Sequence, residues 1–285
     1  SSIHSDETAR SLGFRQATIE GPTHFSQFVP LFHRVWGNEW FRSGSISVHF
    51  RNAAFEDDVL TAFLRTPATR GEPAEIWMLR DDGTEILRGT ASCGEQRQLS
   101  VLEVRRVRSQ SDQPRIILKD VREGMRTGRI PVVLGFDELK GALYPFNLRQ
   151  KLARITEPSD WYTEEGGVRS PWGRAIVPIE MISVLLKYSD DQPPFPVPTD
   201  VVQLFADQEI RLLDGPVFVG ESYEIDHEVI GFGGSRRTES LWVRTNLYHP
   251  NGERALASML LHTACLKETY PRYQEELDAR TSTSA

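Results

Sequence analysis

Residues 3–26 read IHSDETARSLGFRQATIEGPTHFS and end in the start of an apolar helix. The Gly21-Pro22 pair places a flexible residue and then a proline directly before the predicted first turn, a common way for a helix to begin. Apolar side chains then recur at helical spacing, which predicts a helix over about 23–35 with one buried face. Its start carries unpaired backbone N–H groups and partial positive charge, so it can stabilise an anion.

Upstream of this helix, the same stretch predicts a loop with His4 and Asp6 and then a short helical turn. Imidazole titrates near neutral pH, so His4 is a candidate acid–base group. A single histidine near a terminus is more often a surface residue, and that interpretation stays open. Asp6 either caps the short helix or belongs to the site.

The run IHSDETARSLGF at 3–14, followed by Gly21 and Ser26, resembles the MaoC-like family of (R)-specific enoyl-thioester hydratases. The resemblance implies the hotdog fold, in which an antiparallel sheet wraps a long helix. It also implies an Asn-Pro pair before the Ile-His and a catalytic Asp five residues before the His. Here residues 1–2 are both serine, and the Asp position falls before residue 1.

The resemblance also assigns roles to individual residues. It implies that His4 exchanges protons with water and the substrate and that Asp6 is a helix-capping acid. Asp6 is also kept as a second candidate catalytic residue. It implies that a backbone N–H at Gly21 donates to the thioester oxygen, an interaction with an oxyanion worth about 3 kcal/mol. His24 and Ser26, on the first turn of the helix, are candidates for lining the substrate pocket, and His24 is otherwise a structural residue.

The second half of the chain repeats the first. Residues 50–63 align with 213–226, so that Phe55, Asp57 and Asp58 fall on Phe218, Gly220 and Glu221. A second match, offset by one more residue, aligns 75–80 with 239–244, pairing Glu75 with Glu239 and Arg80 with Arg244. Glycine-containing hairpin turns at 82–83 and 251–252 also match. A repeat this long predicts two copies of one fold, packed with their sheets edge to edge.

The predicted fold class is therefore α+β, a double hotdog built from two tandem helix-in-antiparallel-sheet repeats. We predict an N-terminal repeat at 1–97, a linker at 98–119 that is helical in part, and a C-terminal repeat at 120–285. Within the second repeat, the pattern predicts a strand at 130–139, a helix at 145–155 and a loop-to-helix segment at 170–188.

The second repeat has no histidine in the loop that corresponds to His4, so its site is expected to be degenerate. Tyr162 and Trp172 are candidates for an apolar acyl pocket, although such aromatic residues are more often plain core. Glu180 follows Pro178 in the first helical turn. A carboxylate there ordinarily interacts with the helix dipole, but a buried one would be a functional candidate.

Composition narrows the class of protein further. The 285 residues carry a net charge of −7, so we expect no nucleic-acid partner and no attraction to acidic membranes. No apolar run approaches the roughly 20 residues of a membrane span. Cys93 and Cys265 lack metal-ligand spacing and are expected to be buried thiols in a reducing compartment. We therefore predict a soluble cytoplasmic protein that needs no metal or other cofactor.

The leading functional hypothesis is an acyl-thioester hydratase or dehydratase of fatty acid or polyketide metabolism. It would act on 2-enoyl or 3-hydroxyacyl groups carried by coenzyme A or an acyl carrier protein. One alternative is a non-catalytic hotdog protein that binds an acyl or polyketide ligand or serves as a partner subunit. A third is thioester hydrolysis, for which Glu180 is the nominated group. Because the repeat already pairs two units, we expect a monomer of two repeats or a homodimer.

Overall fold

The structure is a computed structural model that describes residues 6–67, 69, 71–94, 99–108, 114–141, 144–188 and 193–283. Among these residues, nine strands form one antiparallel sheet in the order β2-β3-β4-β1-β6-β9-β8-β7-β5. The strands are β1 (Gly44–Phe50), β2 (Leu60–Arg65), β3 (Ala74–Arg80), β4 (Glu85–Cys93), β5 (Ile130–Val133), β6 (Gln203–Leu212), β7 (Ser222–Gly234), β8 (Thr238–Tyr248) and β9 (Ala255–Leu266).

Two helices run along the sheet, and shorter ones lie in the connections. The helices are α1 (Asp6–Ser11), α2 (Thr23–Trp36), α3 (Trp40–Ser43), α4 (Val101–Arg108), α5 (Leu148–Leu152), α6 (Glu164–Gly167), α7 (Ile179–Lys187) and α8 (Tyr273–Thr283). Side chains of α2 and α7 belong to one apolar core, which also contains Ile46, Ile76 and Met259 of the sheet. Both central helices therefore cover the same face of the sheet, which we call the inner face.

The two halves join through β1 and β6, which pair antiparallel with Ile46 opposite Ile210 and His49 opposite Asp207. The strand order is mirrored about this seam, because β4, β3 and β2 follow β1 on one side while β9, β8 and β7 follow β6 on the other. The expected edge-to-edge joining of two sheets is confirmed. Alternation along β1 sends Ile46 and Val48 into the core and leaves His49 on the opposite, outer face.

The first part of the sequence repeat is confirmed in the backbone. Phe55 and Phe218 form equivalent isolated bridges, to Thr18 and Ile176. Two residues further on, the chain enters the left-handed region in both copies, with φ of 69° at Asp57 and 74° at Gly220. Glycine adopts this conformation without a side-chain penalty, whereas Asp is one of the few other residues that tolerate it.

The second part of the sequence repeat, 75–80 with 239–244, is wrong. Gly83 and Gly252 lie in equivalent hairpin turns, and counting back from them makes Met78 of β3 equivalent to Leu247 of β8. Both side chains are buried in the inner core. The sequence match instead pairs Met78 with Trp242, which lies on the outer face beside His262. The similarity between 75–80 and 239–244 is due to chance. Strands β7 and β8 are much longer than β2 and β3, so the equivalent residues are further apart in the sequence than the match assumes.

Two predicted elements are shorter than expected. The strand predicted at 130–139 ends at Val133. The helix predicted at 145–155 spans Leu148–Leu152, because Asn147 accepts the N–H of Gln150 and caps it there. The segment 170–188 has the predicted loop-to-helix form, with the helix beginning at Ile179 after Pro178. Residues 98–119 include α4 and a turn, so they contain structure of their own, while the repeat boundaries stay a prediction.

None of the helices in the described ranges is long and apolar enough to cross a membrane. Cys265 is buried, Cys93 is partly exposed, and both are free thiols.

Candidate functional site

The turn before α2 is tight and leaves few helix N–H groups free. The N–H of Thr23 donates to the Glu20 carbonyl at 3.0 Å, and the N–H of His24 donates to the Gly21 carbonyl at 3.1 Å. Gly21 also allows close packing, because a Cβ atom there would lie 2.7 Å from the Phe50 ring. The N–H of Gly21 itself makes no hydrogen bond within the part of the chain that the structure describes. It is the donor at this helix start that stays available.

The start of α7 buries a carboxylate. Glu180 lies in the first turn after Pro178 and is 2% exposed. Neither of its carboxylate oxygens accepts a hydrogen bond from the described residues. Burial raises the pKa of Glu180 to about 7, because the charged form loses its hydration. Near neutral pH this carboxyl group can therefore both accept and donate a proton.

Lys151 of α5 links the starts of the two central helices. Its Nζ atom donates to Thr23 Oγ1 at 2.8 Å and to Glu20 Oε2 at 3.3 Å. The same atom lies 3.9 Å from Glu180 Oε2, and Thr23 Oγ1 lies 3.4 Å from Glu20 Oε2. One buried cation thus lies close to two carboxylates that come from different halves of the protein. We call Glu20, Thr23, Lys151 and Glu180 the carboxylate–lysine cluster.

His24 lies beside this cluster and is 3% exposed. Its Nδ1 atom is 2.8 Å from Gln27 Oε1, which assigns the ring proton to Nδ1. Burial lowers the pKa of His24, and the nearby Lys151 charge lowers it further. The imidazole is therefore neutral at physiological pH and can accept a proton through Nε2.

Three tyrosines lie near the cluster, of which Tyr144 and Tyr162 are buried and Tyr188 is partly buried. Burial raises the pKa of Tyr188 to about 12 and raises the pKa of Tyr144 and Tyr162 as well. The negative charge of Glu180 adds to the effect at Tyr144 and Tyr162. All three hydroxyl groups therefore stay protonated, and that of Tyr144 donates to Met181 Sδ at 3.6 Å.

The apolar side of the site is tightly packed. Tyr162 and Ile179 line a cavity of about 10 Å³, room for about one water molecule. Trp172 lies outside the cluster and packs edge-on against Phe41 and Trp161, with ring centroids 6.0 and 5.7 Å away. Trp172 is therefore a partly buried residue that packs against the core.

The remaining candidates fall in different places. Asp6 is exposed, accepts the N–H of Ala17 at 2.7 Å and forms an ion pair with Arg10. The Ala17 N–H is the main reason that the pKa of Asp6 is lowered. Ser26 is buried on α2, and its hydroxyl has no partner among the described residues. His4 lies outside the described residues, so its role stays a prediction.

Sequence reasoning named Gly21, His24 and Glu180 but missed Glu20, Thr23 and Lys151. A signal for Lys151 exists, because it lies three residues after Leu148 and directly before Leu152, on the apolar face of a predicted helix. A lysine on such a face indicates a buried charge that requires a partner. Within the described ranges, no group of three or more His, Cys, Asp or Glu side chains is placed to hold a metal ion.

Similar solved structures support the fold. A MaoC domain protein dehydratase from Chloroflexus aurantiacus J-10-fl matches with a TM-score of 0.53 and 12% identity, over 93% of this chain and 86% of that one. A MaoC-like dehydratase matches with a TM-score of 0.50 and 11% identity, over 92% and 87%. A conserved hypothetical protein from Mycobacterium tuberculosis, described as a double hotdog, matches with a TM-score of 0.50 and 13% identity, over 92% and 86%.

These similarities show that the chain has the double-hotdog fold that MaoC-like dehydratases have. No protein-family model and no curated protein matches the sequence. At such low identity the shared architecture does not determine the reaction, which depends on the residues of the site.

Proposed function

We propose that this protein is an acyl-thioester hydratase or dehydratase that acts on 2-enoyl or 3-hydroxyacyl groups carried by coenzyme A or an acyl carrier protein. The observation that carries the proposal is the buried carboxyl group of Glu180, held between the two helix starts at 3.9 Å from Lys151. Its pKa of about 7 suits a reaction that removes a proton from carbon and returns one to oxygen.

In the dehydration direction, ionised Glu180 removes a proton from the carbon next to the thioester carbonyl. Negative charge then develops on the thioester oxygen, and the N–H of Gly21 is the available donor to stabilise it. Protonated Glu180 next gives a proton to the departing hydroxyl group, which leaves as water. Hydration follows the same steps in reverse. His4 stays a second candidate for the proton transfer at oxygen.

Lys151 keeps the two carboxylates of the cluster from repelling one another. It donates to Thr23 and Glu20 and lies close to Glu180, so its charge offsets that of Glu20 while Glu180 ionises. Without the lysine, Glu180 would face another carboxylate across the site and its pKa would rise further.

Glu180 also favours a second function, thioester hydrolysis. A buried carboxylate at a helix start can activate water for attack on the thioester carbonyl, with the same N–H of Gly21 as the oxyanion donor. The two reactions differ in product, because only hydrolysis releases a free thiol.

The test is a comparison of the parent protein with Glu180→Gln on crotonyl-type and longer 2-enoyl thioesters. Gln has the same shape but cannot exchange a proton, so we expect hydration to fall by at least about a hundredfold. Glu165→Gln, an exposed site on α6, is the matched control and should keep full activity. His4→Ala in the same assay tests the histidine, with an expected loss of at least about a hundredfold.

The products separate the hypotheses. Absorbance of the enoyl thioester reports hydration, and a thiol reagent reports hydrolysis. Thiol release that depends on Glu180 would establish the second function in place of the first. Binding of the thioester with neither reaction in the parent protein would instead support the non-catalytic acyl-binding alternative.

A further inference from the structure

The outer face of the sheet contains a second polar region at the seam between the two halves, beneath α4. A cavity of about 280 Å³ opens there, between β1, β3, β4 and α4. Its walls include His49, Arg51, Arg88 and Arg105. We call it the outer cavity. It lies across the sheet from the carboxylate–lysine cluster, because His49 alternates with the inner-face residues Ile46 and Val48 along β1.

Asp207 of β6 lies beside this cavity, opposite His49 of β1. It is fully buried, and its two carboxylate oxygens lie 2.8 Å from His49 Nδ1 and 2.6 Å from His262 Nδ1. Arg105 Nε lies 3.0 Å from the same carboxylate. Burial on its own would raise the pKa of Asp207, but His262 and His49 hold this pKa at about 2. The negative charge of Asp207 is thus already offset before any ligand binds.

His49 is oriented by contacts on both ring nitrogens. Nδ1 faces Asp207, and Nε2 lies 3.4 Å from Arg105 Nη2. Since arginine can only donate, Nε2 accepts and the ring proton is on Nδ1. The imidazole therefore connects the buried carboxylate to the guanidinium group on the cavity wall.

Two of the arginines have hydrogen-bond donors to spare. A guanidinium group has five N–H donors in a planar fork. Arg51 forms an ion pair with Glu85 through Nε, at 2.9 Å. Arg105 forms an ion pair with Asp207 through Nε and donates Nη2 to His49. The remaining N–H groups of both side chains have no partner among the described residues. Arg88 differs, because Glu75 and Glu85 occupy its donors.

We propose that the outer cavity binds a small organic anion, a molecule with one carboxylate or phosphate group on a short body. Bidentate pairing with Arg51 or Arg105 suits either group, since both present two oxygens to a guanidinium fork. Val101 and Leu102 of α4 supply the apolar part of the wall for the body of the ligand. The volume limits the ligand to the small end of the range for binding pockets.

Calorimetric titration with butyrate and, separately, with glycerol 3-phosphate tests the proposal at constant ionic strength. We expect one-site binding of at least one probe, with a Kd of about 1 mM. Arg51→Met should raise the Kd at least about tenfold, because it removes charge-assisted hydrogen bonds. Arg126→Met is the matched control, since Arg126 also forms a single ion pair, with Glu228 of β7 near the other edge of the sheet. It should leave the Kd unchanged.

Histidine ring signals in NMR spectra locate the bound probe. Titration should shift the signals of His49, assigned with His49→Gln, while those of His24 on the inner face stay in place. Absence of saturable binding by both probes would overturn the proposal, as would equal affinity in the parent and Arg51→Met. Glu180→Gln should bind the probes with the same Kd as the parent. The test of the outer cavity is therefore independent of the proposed catalytic function.

Discussion

The starts of α2 and α7 share one framework and differ in their charges. Arg15 lies 4.4 Å from the Phe55 ring centroid and pairs with Asp58, while Arg174 lies 4.4 Å from the Phe218 ring centroid and pairs with Glu221. In each half, therefore, an arginine covers the phenylalanine at the start of the turn. The duplication has kept the contacts that position the helix.

The turn before the helix is where the two halves diverge. The N–H of Ile19 donates to Ala54, and the N–H of Val177 donates to Val217 at the equivalent point. Counting from these residues, α2 begins four residues later, at Thr23, and α7 begins two residues later, at Ile179. The longer turn of the first half keeps Glu20 outside the helix, whereas Glu180 lies in the first turn. Two extra residues in the turn of the first half are therefore the reason that the two glutamates occupy different positions relative to their helices.

The largest expected effect comes from breaking the link between the two helix starts. Lys151→Met leaves the buried Glu180 and the partly buried Glu20 without their shared cation, so the free energy of unfolding at pH 8 should fall by about 3–5 kcal/mol. Chemical denaturation measures this change, and adding Glu180→Gln should recover part of it. Lys119→Met removes a surface ion pair with Glu276 and should cost under about 1 kcal/mol. Equal costs for the two lysines would mean that Lys151 does not stabilise the cluster.

The second prediction concerns the buried carboxyl group of the second half. Its pKa is raised from 4.5 to about 7, so the folded state holds a proton that the unfolded chain has released. Stability of the parent should therefore decline as pH rises from about 4.5 to 7, by about 3 kcal/mol in total. Glu180→Gln should lack this decline and be more stable than the parent at pH 8. If stability depends on pH in the same way in the parent and in Glu180→Gln, ionisation of Glu180 does not destabilise the folded protein. Glu165→Gln is the control variant and should behave like the parent.

A third prediction uses the left-handed residues of the two turns. Gly220→Ala should cost about 1–2 kcal/mol, since φ is 74° and no atom lies within 4 Å of the added Cβ, so only backbone strain contributes. Asp57→Gly at the equivalent position relieves backbone strain but also increases the conformational entropy of the unfolded chain. It should therefore stabilise the protein by less than about 1 kcal/mol. Thermal unfolding of both variants measures the difference. Effects of the same sign would show that the turns are not equivalent.

The smallest effect is expected where the two helix starts are most alike. Arg15→Met and Arg174→Met each remove a cation–π contact and an ion pair at the surface, so each should cost about 0.5–1 kcal/mol. Urea unfolding at low and at high salt separates the ionic part of this cost. If only one of the two substitutions lowered the free energy of unfolding by more than about 2 kcal/mol, the contacts around the two helix starts would not be equivalent.

Local signals in the sequence determined much of the fold. The Gly21-Pro22 pair predicted the start of α2, and the match of Phe55 with Phe218 predicted a duplicated unit, because turns and helix starts depend on a few neighbouring residues. The strand match at 75–80 failed because short alternating strands look alike at every second position. Only the hairpin turns and the pairing across the sheet set the register of β8.

The sequence by itself thus determined the double-hotdog architecture and named Glu180 as a residue whose role depended on burial. The tertiary structure decided that burial, because α7 packs into the inner core and brings Glu180 within 3.9 Å of Lys151, which also pairs with Glu20. It also placed Asp207 between His49 and His262 on the outer face. The pKa of a group depends on its distance to other charges and on its loss of water, and both are fixed only when distant segments pack together.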